Sequence, residues 1–317
     1  MISIVIVNWK SKDFVRKCIA SIRATAQDLS PQIIVVDGGS FDGCGEILQA
    51  EFPEVEFVQS LKNVGFGRAN NLGVERVNRP LLLLLNPDTE LSPRSLHRLI
   101  EELESHPDAG MVGPRLTLSD GTLQQSCVQA LPTPLNQVLD SDLLRRLFPK
   151  SSLWGTGSAF EAKSALPVEA VVGACMLMRA EVFRRVGGFS PEFFMYGEDL
   201  DLCAKVQKLK LQIYYVPDVE VFHYAGGSST GSFSKVSNIF MHHSVFIFMG
   251  KNHGRVSAYL YRMLMFLSSV VRIPLLGVMW LVAHSVTKAR LQNSIQKWYR
   301  ILTWSVGLEH RTLNIQT

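Results

Sequence analysis

Apolar and polar positions alternate along this chain in blocks. The sharpest block is a run of five leucines, Leu81 to Leu85, held between Pro80 and Asn86-Pro87-Asp88. An unbroken apolar run of that length predicts a strand buried on both faces, and so a central strand of a mostly parallel sheet. The same reading gives strands at 2–7, 33–36 and 55–58. Between them apolar residues recur at helical spacing: Phe14, Val15, Cys18, Ile19 and Ile22 mark a helix over 13–26, and shorter helices follow at 42–52 and 67–76. Ser92 followed by Pro93 predicts the capped start of a helix that stops near His106-Pro107. Alternating βαβ units of this kind predict a doubly wound α/β fold.

Past residue 115 the rhythm changes. Asp120-Gly121 between short apolar runs is a hairpin signal. Residues 130–167 scatter Pro, Ser and Gly without a clear period and are expected to form a mobile insertion. A second buried strand is expected at 170–178, a short helix at 181–186 ended by Gly187-Gly188, a helix over 198–209 after Gly197, and a strand at 211–216. Beyond Asn238 the pattern is helical. Residues 263–283 form a 21-residue apolar stretch with one charge, Arg272, and one proline, Pro274. That is long enough to span a bilayer, but a central arginine is costly there, so an interfacial helix or a re-entrant pair is the expected form. The expected organisation is an α/β domain over 1–230, in halves 1–115 and 116–230, followed by a basic, apolar, helical segment over 231–317.

Composition refines this. A chain of 317 residues suits one large or two modest domains. Cys18, Cys44, Cys127, Cys175 and Cys203 show no CxxC spacing and read as buried apolar side chains in a reducing compartment, not as a disulfide frame or a zinc site. The first residues read as a strand, with neither the basic region nor the cleavage site of a signal peptide, so a cytoplasmic protein is expected. The net charge of +4 conceals an asymmetry: residues 1–220 hold 22 Lys/Arg against 27 Asp/Glu, and residues 221–317 hold 10 against one, Glu309. A basic segment rich in Leu, Met, Phe and Trp predicts contact with an anionic membrane surface; a basic helical pair packed on an acidic domain is the alternative. No nucleic-acid partner is expected, because the positive charge travels with the apolar tail.

Open α/β sheets bind ligands at the carboxyl ends of their strands, and the candidate residues cluster there. Asp37 precedes Gly38-Gly39-Ser40; it can accept a hydrogen bond from a nucleobase imide or a ribose hydroxyl, or simply close a turn. No GxGxxG follows the first strand, where Asn8-Trp9-Lys10-Ser11 stands, which argues against a dinucleotide site. From Asn63 to Arg68, Gly65 and Gly67 lead into a helix start whose free N–H groups attract phosphate, with Arg68 able to add a charge-assisted bond. A glycine turn with a solvated arginine is the plainer alternative. Asp88, with Asn86 as a weaker partner, can hold Mg²⁺ or Mn²⁺ against a diphosphate, and neutral His223 can complete that site. Glu198, Asp199 and Asp201 crowd a helix start, where the helix dipole alone favours acids. Beside Phe193, Phe194 and Tyr196 they also make a site for a general base.

Taken in order, these stretches resemble the family 2 glycosyltransferases of GT-A fold, most closely their rhamnosyltransferase-like branch. The resemblance runs through Ile-Val-Ile-Val-Asn-Trp at 4–9, Val-Val-Asp-Gly-Gly-Ser at 35–40, Asn-Val-Gly-Phe-Gly-Arg-Ala-Asn-Asn at 63–71, and Leu-Asn-Pro-Asp at 85–88. It continues through Gly-Ala-Cys-Met at 173–176, Gly-Gly-Phe at 187–189, Tyr-Gly-Glu-Asp-Leu-Asp-Leu at 196–202, and His223. It implies a mostly parallel doubly wound sheet with a C-terminal helical, membrane-associating segment, and inverting transfer from a nucleotide-diphosphate sugar. On that reading Asn8, Asp37, Asn63, Gly65, Arg68 and Asn86 bind the donor, Asp37 through its nucleobase. Asp88 and His223 hold the divalent metal, Mg²⁺ or Mn²⁺. Asp199, with Glu198 beside it, is the base that deprotonates the acceptor, and Tyr196 and Asp201 face that acceptor. The implied donor is dTDP-rhamnose or a similar sugar nucleotide. The implied acceptor is polyprenyl-diphosphate-linked or a polysaccharide of the cell envelope, met at the inner face of the cell membrane. Two departures stand out: Asp37-Gly38 replaces the family's frequent Asp-Asn or Asp-Asp, and Asn86-Pro87-Asp88 replaces Asp-x-Asp, leaving the metal one charge short. Two other readings stay open, a sugar nucleotidyltransferase and a catalytically inactive scaffold of the same fold.

Overall fold

The structure, a computed structural model, describes residues 1–154, 156–157, 159–224 and 233–308. Two compact units form. One comprises Met1–Leu131 with Arg145–Thr230, the other Pro132–Leu144 with Gly231–Thr317.

The first unit begins β1 (Ile2–Asn8), α1 (Lys12–Ala26), β2 (Gln32–Asp37), α2 (Cys44–Glu51), β3 (Glu56–Gln59), α3 (Phe66–Val74) and β4 (Leu81–Leu85). There follow β5 (Thr89–Leu91), α4 (Ser95–Ser105), β6 (Ala109–Thr117) and β7 (Val128–Gln129). After α5 (Pro134–Leu139) and α6 (Asp142–Leu147) come β8 (Leu166–Val168), β9 (Ala170–Val171), β10 (Cys175–Arg179), α7 (Ala180–Arg185), α8 (Glu198–Lys208) and β11 (Gln212–His223). The main sheet runs β3-β2-β1-β4-β10-β6-β11-β5, with β8 paired to β11. Strands β1 to β4 are mutually parallel, β10 is antiparallel to both β4 and β6, and β11 returns parallel to β6. The expected doubly wound α/β sheet is therefore present, its pairings divided evenly between parallel and antiparallel, and β6 carries it across the boundary expected at residue 115.

Its core explains the leucine run. Leu81, Leu83 and Leu85 enter the apolar cluster that α1 and α4 cover, while Leu82 and Leu84 enter the cluster on the opposite face with α3 and α8. Each fully buried leucine is worth roughly 1.5–3 kcal/mol, so this central strand anchors everything displayed beyond its end.

Three sequence expectations are corrected. Ser92 does not cap α4: the helix starts at Ser95 after Arg94 in the left-handed region (φ 63°), and the Ser92 hydroxyl donates to the Glu220 carbonyl at 2.5 Å. The strand expected at 170–178 is broken, because the chain turns at Val172–Ala174 between β9 and β10. The strand expected to stop at 216 runs on to His223 through a register shift between Val216 and Glu220, which accommodates Pro217. The insertion at 130–167 holds short helices, and α5 opens with a reciprocal Thr133–Asn136 capping box.

The second unit packs α5 with α9 (Phe233–Asn252), α10 (Arg255–Val282) and α11 (Ser285–Ser305). Ile239, Met249, Tyr261, Met265, Ile301 and Trp304 form its core. The apolar stretch is one unbroken helix, α10, with Pro274 inside it, and the chain returns as α11. Among the described residues α10 is the one helix long and apolar enough to cross a membrane, and only 11% of its most apolar window is buried.

Candidate active site

The parallel strands β1, β2 and β4 end side by side, and the site is built from the residues just beyond them. Asn8 and Asp37 are register partners across β1 and β2. The Asn8 amide donates to Asp37 at 2.8 Å and to Asp42 at 3.0 Å, while its oxygen accepts from the Ser11 amide and hydroxyl. Asp37 also accepts from the backbone N–H of Ser40 and Phe41, from the Ser40 hydroxyl, and from Gln59 at 2.6 Å. Burial pushes its carboxyl up, but the donors of Ser40, Gln59, Phe41 and Asn8 outweigh that and hold it below the ordinary aspartate value. Beside it a hollow of about 530 Å³ opens, lined by Asp37, Phe41, Cys44, Leu48, Phe57 and Gln59. Asn8 thus spends its hydrogen bonds on the protein and orients Asp37 at the edge of this hollow.

The start of α3 forms the next wall. Asn63 accepts from the Gly65 amide at 3.0 Å, and Gly65 (φ 85°) is compulsory, because a Cβ there would lie 2.3 Å from the Phe194 carbonyl oxygen. Arg68, expected near a phosphate, instead donates twice to the Pro191 carbonyl, at 2.9 and 2.6 Å. Asn71 grips Phe189 with both amide atoms, at 2.9 Å each. The 189–194 loop is therefore fastened to α3.

Beyond β4 the polar groups are left open. The Asn86 backbone N–H donates to the Ala174 carbonyl at 2.9 Å, but its side-chain oxygen is buried with no hydrogen-bond partner. Asp88 is 3% exposed. Pairing of β5 with the far end of β11 sets His223 opposite Thr89, which brings His223 Nε2 within 3.3 Å of Asp88 Oδ1. Gln124 Oε1 lies 2.6 Å from the other ring nitrogen, Nδ1. Among the described residues no polar group other than this imidazole nitrogen is paired with the Asp88 carboxylate. An anionic carboxylate, an imidazole nitrogen and an orphaned amide oxygen at one strand end suit a hard divalent cation. Among the described residues no group of three or more His, Cys, Asp or Glu is arranged to hold a metal ion, so these groups alone would leave a cation with open coordination positions. Gly226, Gly227 and Ser228, which the sequence set beside His223, lie outside the described residues.

The acidic cluster divides. At the start of α8, Asp199 accepts from the Gly173 amide at 3.0 Å and the Leu200 amide at 2.8 Å. Glu198 is 6% exposed, and its Oε2 has no hydrogen-bond partner. Burial, and then the neighbouring Asp199 charge, push the Glu198 carboxyl up to about 8. Burial likewise raises Asp199, with the Gly173 and Leu200 amides pulling the other way. Asp201 faces inward, taking the Ser190 hydroxyl at 2.5 Å with Lys205 Nζ at 3.9 Å. Tyr196 sits in the left-handed region (φ 67°) just before Gly197, a costly conformation for a non-glycine residue. Gly173 binds Asp199 and the adjacent Ala174 binds Asn86, so two consecutive residues link the acidic pair to the end of β4.

Sequence reasoning missed Gln59, Gln124 and the Gly173 amide as members of the site. Gln59 ends β3 beside Asp37, and Gln124 follows the Asp120-Gly121 turn. The only signal for Gly173 was its place in Gly-Ala-Cys-Met.

Comparison with known proteins now bears on this geometry. The family described as glycosyl transferase family 2 matches residues 3–187, and the N-terminal domain of galactosyltransferase matches 157–225. The chain is 28% identical over 267 residues, 80% of its length and 85% of the relative's, to N-acetylglucosaminyl-diphospho-decaprenol L-rhamnosyltransferase of Mycobacterium tuberculosis. It is 29% identical over 245 residues, 74% of its length and 88% of the relative's, to rhamnosyltransferase WbbL of Escherichia coli. The solved mannosyltransferase of Pyrobaculum calidifontis in complex with GDP-Man and Mn²⁺ superposes with a TM-score of 0.59 at 14% identity, covering 100% of this chain and 88% of the other. With the family matched over more than half of its length and the sheet of the GT-A fold in place, this chain belongs to glycosyl transferase family 2.

Proposed function

We propose that the chain transfers rhamnose, with inversion, from a dTDP-linked donor to a hydroxyl of a polyprenyl-diphosphate-linked saccharide. The observation that carries this reading is the pairing of two open groups across Gly173-Ala174. On one side lies the unsatisfied end of β4, Asn86 and Asp88 with His223; on the other lies the buried pair Glu198–Asp199. Inverting transfer needs these two elements: charge stabilisation at the leaving diphosphate, and a base on the opposite face of the sugar.

In this mechanism the hollow beside Asp37 takes the nucleobase, with Asp37 as acceptor, and Asn8 and Gln59 hold that carboxylate in place. Asp88 and His223 would hold a divalent cation, which when bound would supply positive charge opposite the departing diphosphate. Asp199 takes the proton from the acceptor hydroxyl as its oxygen attacks the anomeric carbon. Burial makes Asp199 a stronger base than an ordinary aspartate, and the Gly173 N–H orients it. Glu198, held neutral by its surroundings, leaves Asp199 as the carboxylate of the pair.

Similarity to an enzyme named for a decaprenol-linked substrate supports a lipid-linked acceptor. The surface of α10 supports the membrane as its meeting place: Val271, Leu275, Val278, Leu281 and Val282 are exposed, and residues 221–308 contain no carboxylate.

The test is transfer of radiolabelled rhamnose from dTDP-rhamnose to polyprenyl-diphosphate-N-acetylglucosamine, with NMR of the product anomer. An inverted rhamnoside formed with Mn²⁺ or Mg²⁺ and lost with EDTA is expected. Pyrophosphate release from a nucleoside triphosphate would point instead to a nucleotidyltransferase, and a folded protein without turnover to a scaffold. Flotation with anionic but not zwitterionic vesicles is the matching result for the helical unit.

A further inference from the structure

His223 has two ring nitrogens, and the structure gives them different neighbours. Nε2 faces the Asp88 carboxylate at 3.3 Å. Nδ1 faces Gln124 Oε1 at 2.6 Å. A neutral imidazole carries one proton, and the nitrogen that bears it is set by the hydrogen bond the ring makes. Gln124 is itself oriented: its amide nitrogen donates to the Ser126 hydroxyl at 2.9 Å, which leaves its oxygen for the imidazole. Its backbone N–H donates to the Leu116 carbonyl at 2.9 Å, and its carbonyl accepts from Cys127 at 3.0 Å. Leu116 pairs with Val221 on the same β11 that carries His223. The glutamine is thus held at both its backbone and its side chain.

We propose that Gln124 is a positioning residue for the cation seat. It accepts the Nδ1 proton of His223 and so fixes the tautomer in which the Nε2 lone pair faces Asp88. A lone pair opposite a carboxylate is repulsive unless a cation lies between them, so the arrangement is prepared for one. The inference deepens the metal role given above and rests on it. Partners of this kind on the remote nitrogen of a metal-binding histidine fix the ring orientation and raise its basicity.

Two measurements test it. The first is ¹⁵N NMR of histidine-labelled, metal-free protein at pH 8, with the His223 signals identified by His223→Gln. The expected result is a proton on Nδ1 and a bare Nε2 in wild type, with that preference lost in Gln124→Leu. A proton on Nε2 in wild type overturns the assignment. The second is Mn²⁺ affinity in the presence of dTDP, read by the paramagnetic resonance of free Mn²⁺. Gln124→Leu is expected to weaken it about 10–100-fold. Gln124→Glu, which still accepts the Nδ1 proton, is expected to stay within a few-fold of wild type, so loss of fold and loss of the acceptor are told apart. Equal Mn²⁺ affinity in wild type and Gln124→Leu overturns the positioning role. If wild type shows the Nδ1–H tautomer but takes up no Mn²⁺, the proposed cation seat itself fails, a result distinct from a failure at Gln124.

Discussion

Asp37 and Asp88 occupy matching places. Each lies at the end of a parallel strand beside β1, one closing β2 and the other following β4, and they are 1% and 3% exposed. Their surroundings are opposite. Asp37 is surrounded by donors from Asn8, Ser40, Phe41 and Gln59. Asp88 has only an imidazole nitrogen within reach among the described residues, with an orphaned Asn86 oxygen on the same loop. Buried carboxylates normally find partners. Where the fold supplies them, the side chain belongs to the architecture as well as to any ligand. Where it withholds them, the side chain keeps unspent capacity, which the proposed function assigns to a ligand. The acidic cluster repeats the contrast, with Asp201 tied to Ser190 and Lys205 and the Glu198 Oε2 left without a partner.

Substitutions sharpen this contrast, the largest expected effect coming from the acidic pair at the start of α8. Asp199→Asn should lower the turnover of glycosyl transfer about 10²–10⁴-fold, with donor affinity within a few-fold and thermal stability close to wild type. Loss of donor binding as well would reassign Asp199 to structure. Asp37→Ala should show the reverse pattern. It strands the donors of Asn8, Ser40, Phe41 and Gln59; with water from the hollow reaching all but two of them, at about 1–3 kcal/mol for each one left dry a loss of roughly 2–6 kcal/mol in urea unfolding is expected. The pH dependence has a definite sign: Asp37 is held below its ordinary value of 3.8, so its stabilisation is present above that pH and fades as pH falls through the lowered value. Asp88→Ala should leave unfolding nearly unchanged and weaken dTDP-sugar binding about 10–100-fold in Mn²⁺, an effect of the size expected for a damaged metal site. The difference from wild type should vanish in EDTA, and unchanged affinity in Mn²⁺ would end the metal role.

The smallest effect concerns Glu198. Its folded-state pKa is raised from 4.5 to about 8, so the folded protein holds a proton that the unfolded chain has released. That favours the fold at pH 5 and is lost as pH rises toward 8. Glu198→Gln should flatten the stability-against-pH curve in that window; an unchanged slope would mean the pair is not buried in solution.

Much of the fold was legible because its signals are local. The Leu81–Leu85 run announced a strand covered on both sides, and both apolar clusters take residues from it in alternation. The strand-end carboxylates were legible for the same reason, since each closes an apolar run. The parts that escaped depend on distant backbone. Gly173 meets Asp199 only because the strand breaks at Val172–Ala174, and no periodicity announces a break inside an apolar stretch. His223 reaches Asp88 only because β11 continues past Pro217, a residue that ordinarily signals the end of a strand. Arg68 read as a phosphate ligand because it follows glycines at a helix start, yet the Pro191 carbonyl that takes it lies 123 residues away. Gln124 had no local signal of its own, since its value lies in the ring it faces.

The step at Gly173-Ala174 sets a scale for the reaction. One residue holds Asp199 and the next holds the backbone of Asn86, and consecutive Cα atoms are about 3.8 Å apart. On the proposed reading, the gap across which a sugar changes hands is gauged by main chain and not by the rotamer of any long side chain. On the same reading, a shift of this main-chain step would carry base and leaving-group seat along together. An acceptor therefore meets a working distance already set before it arrives.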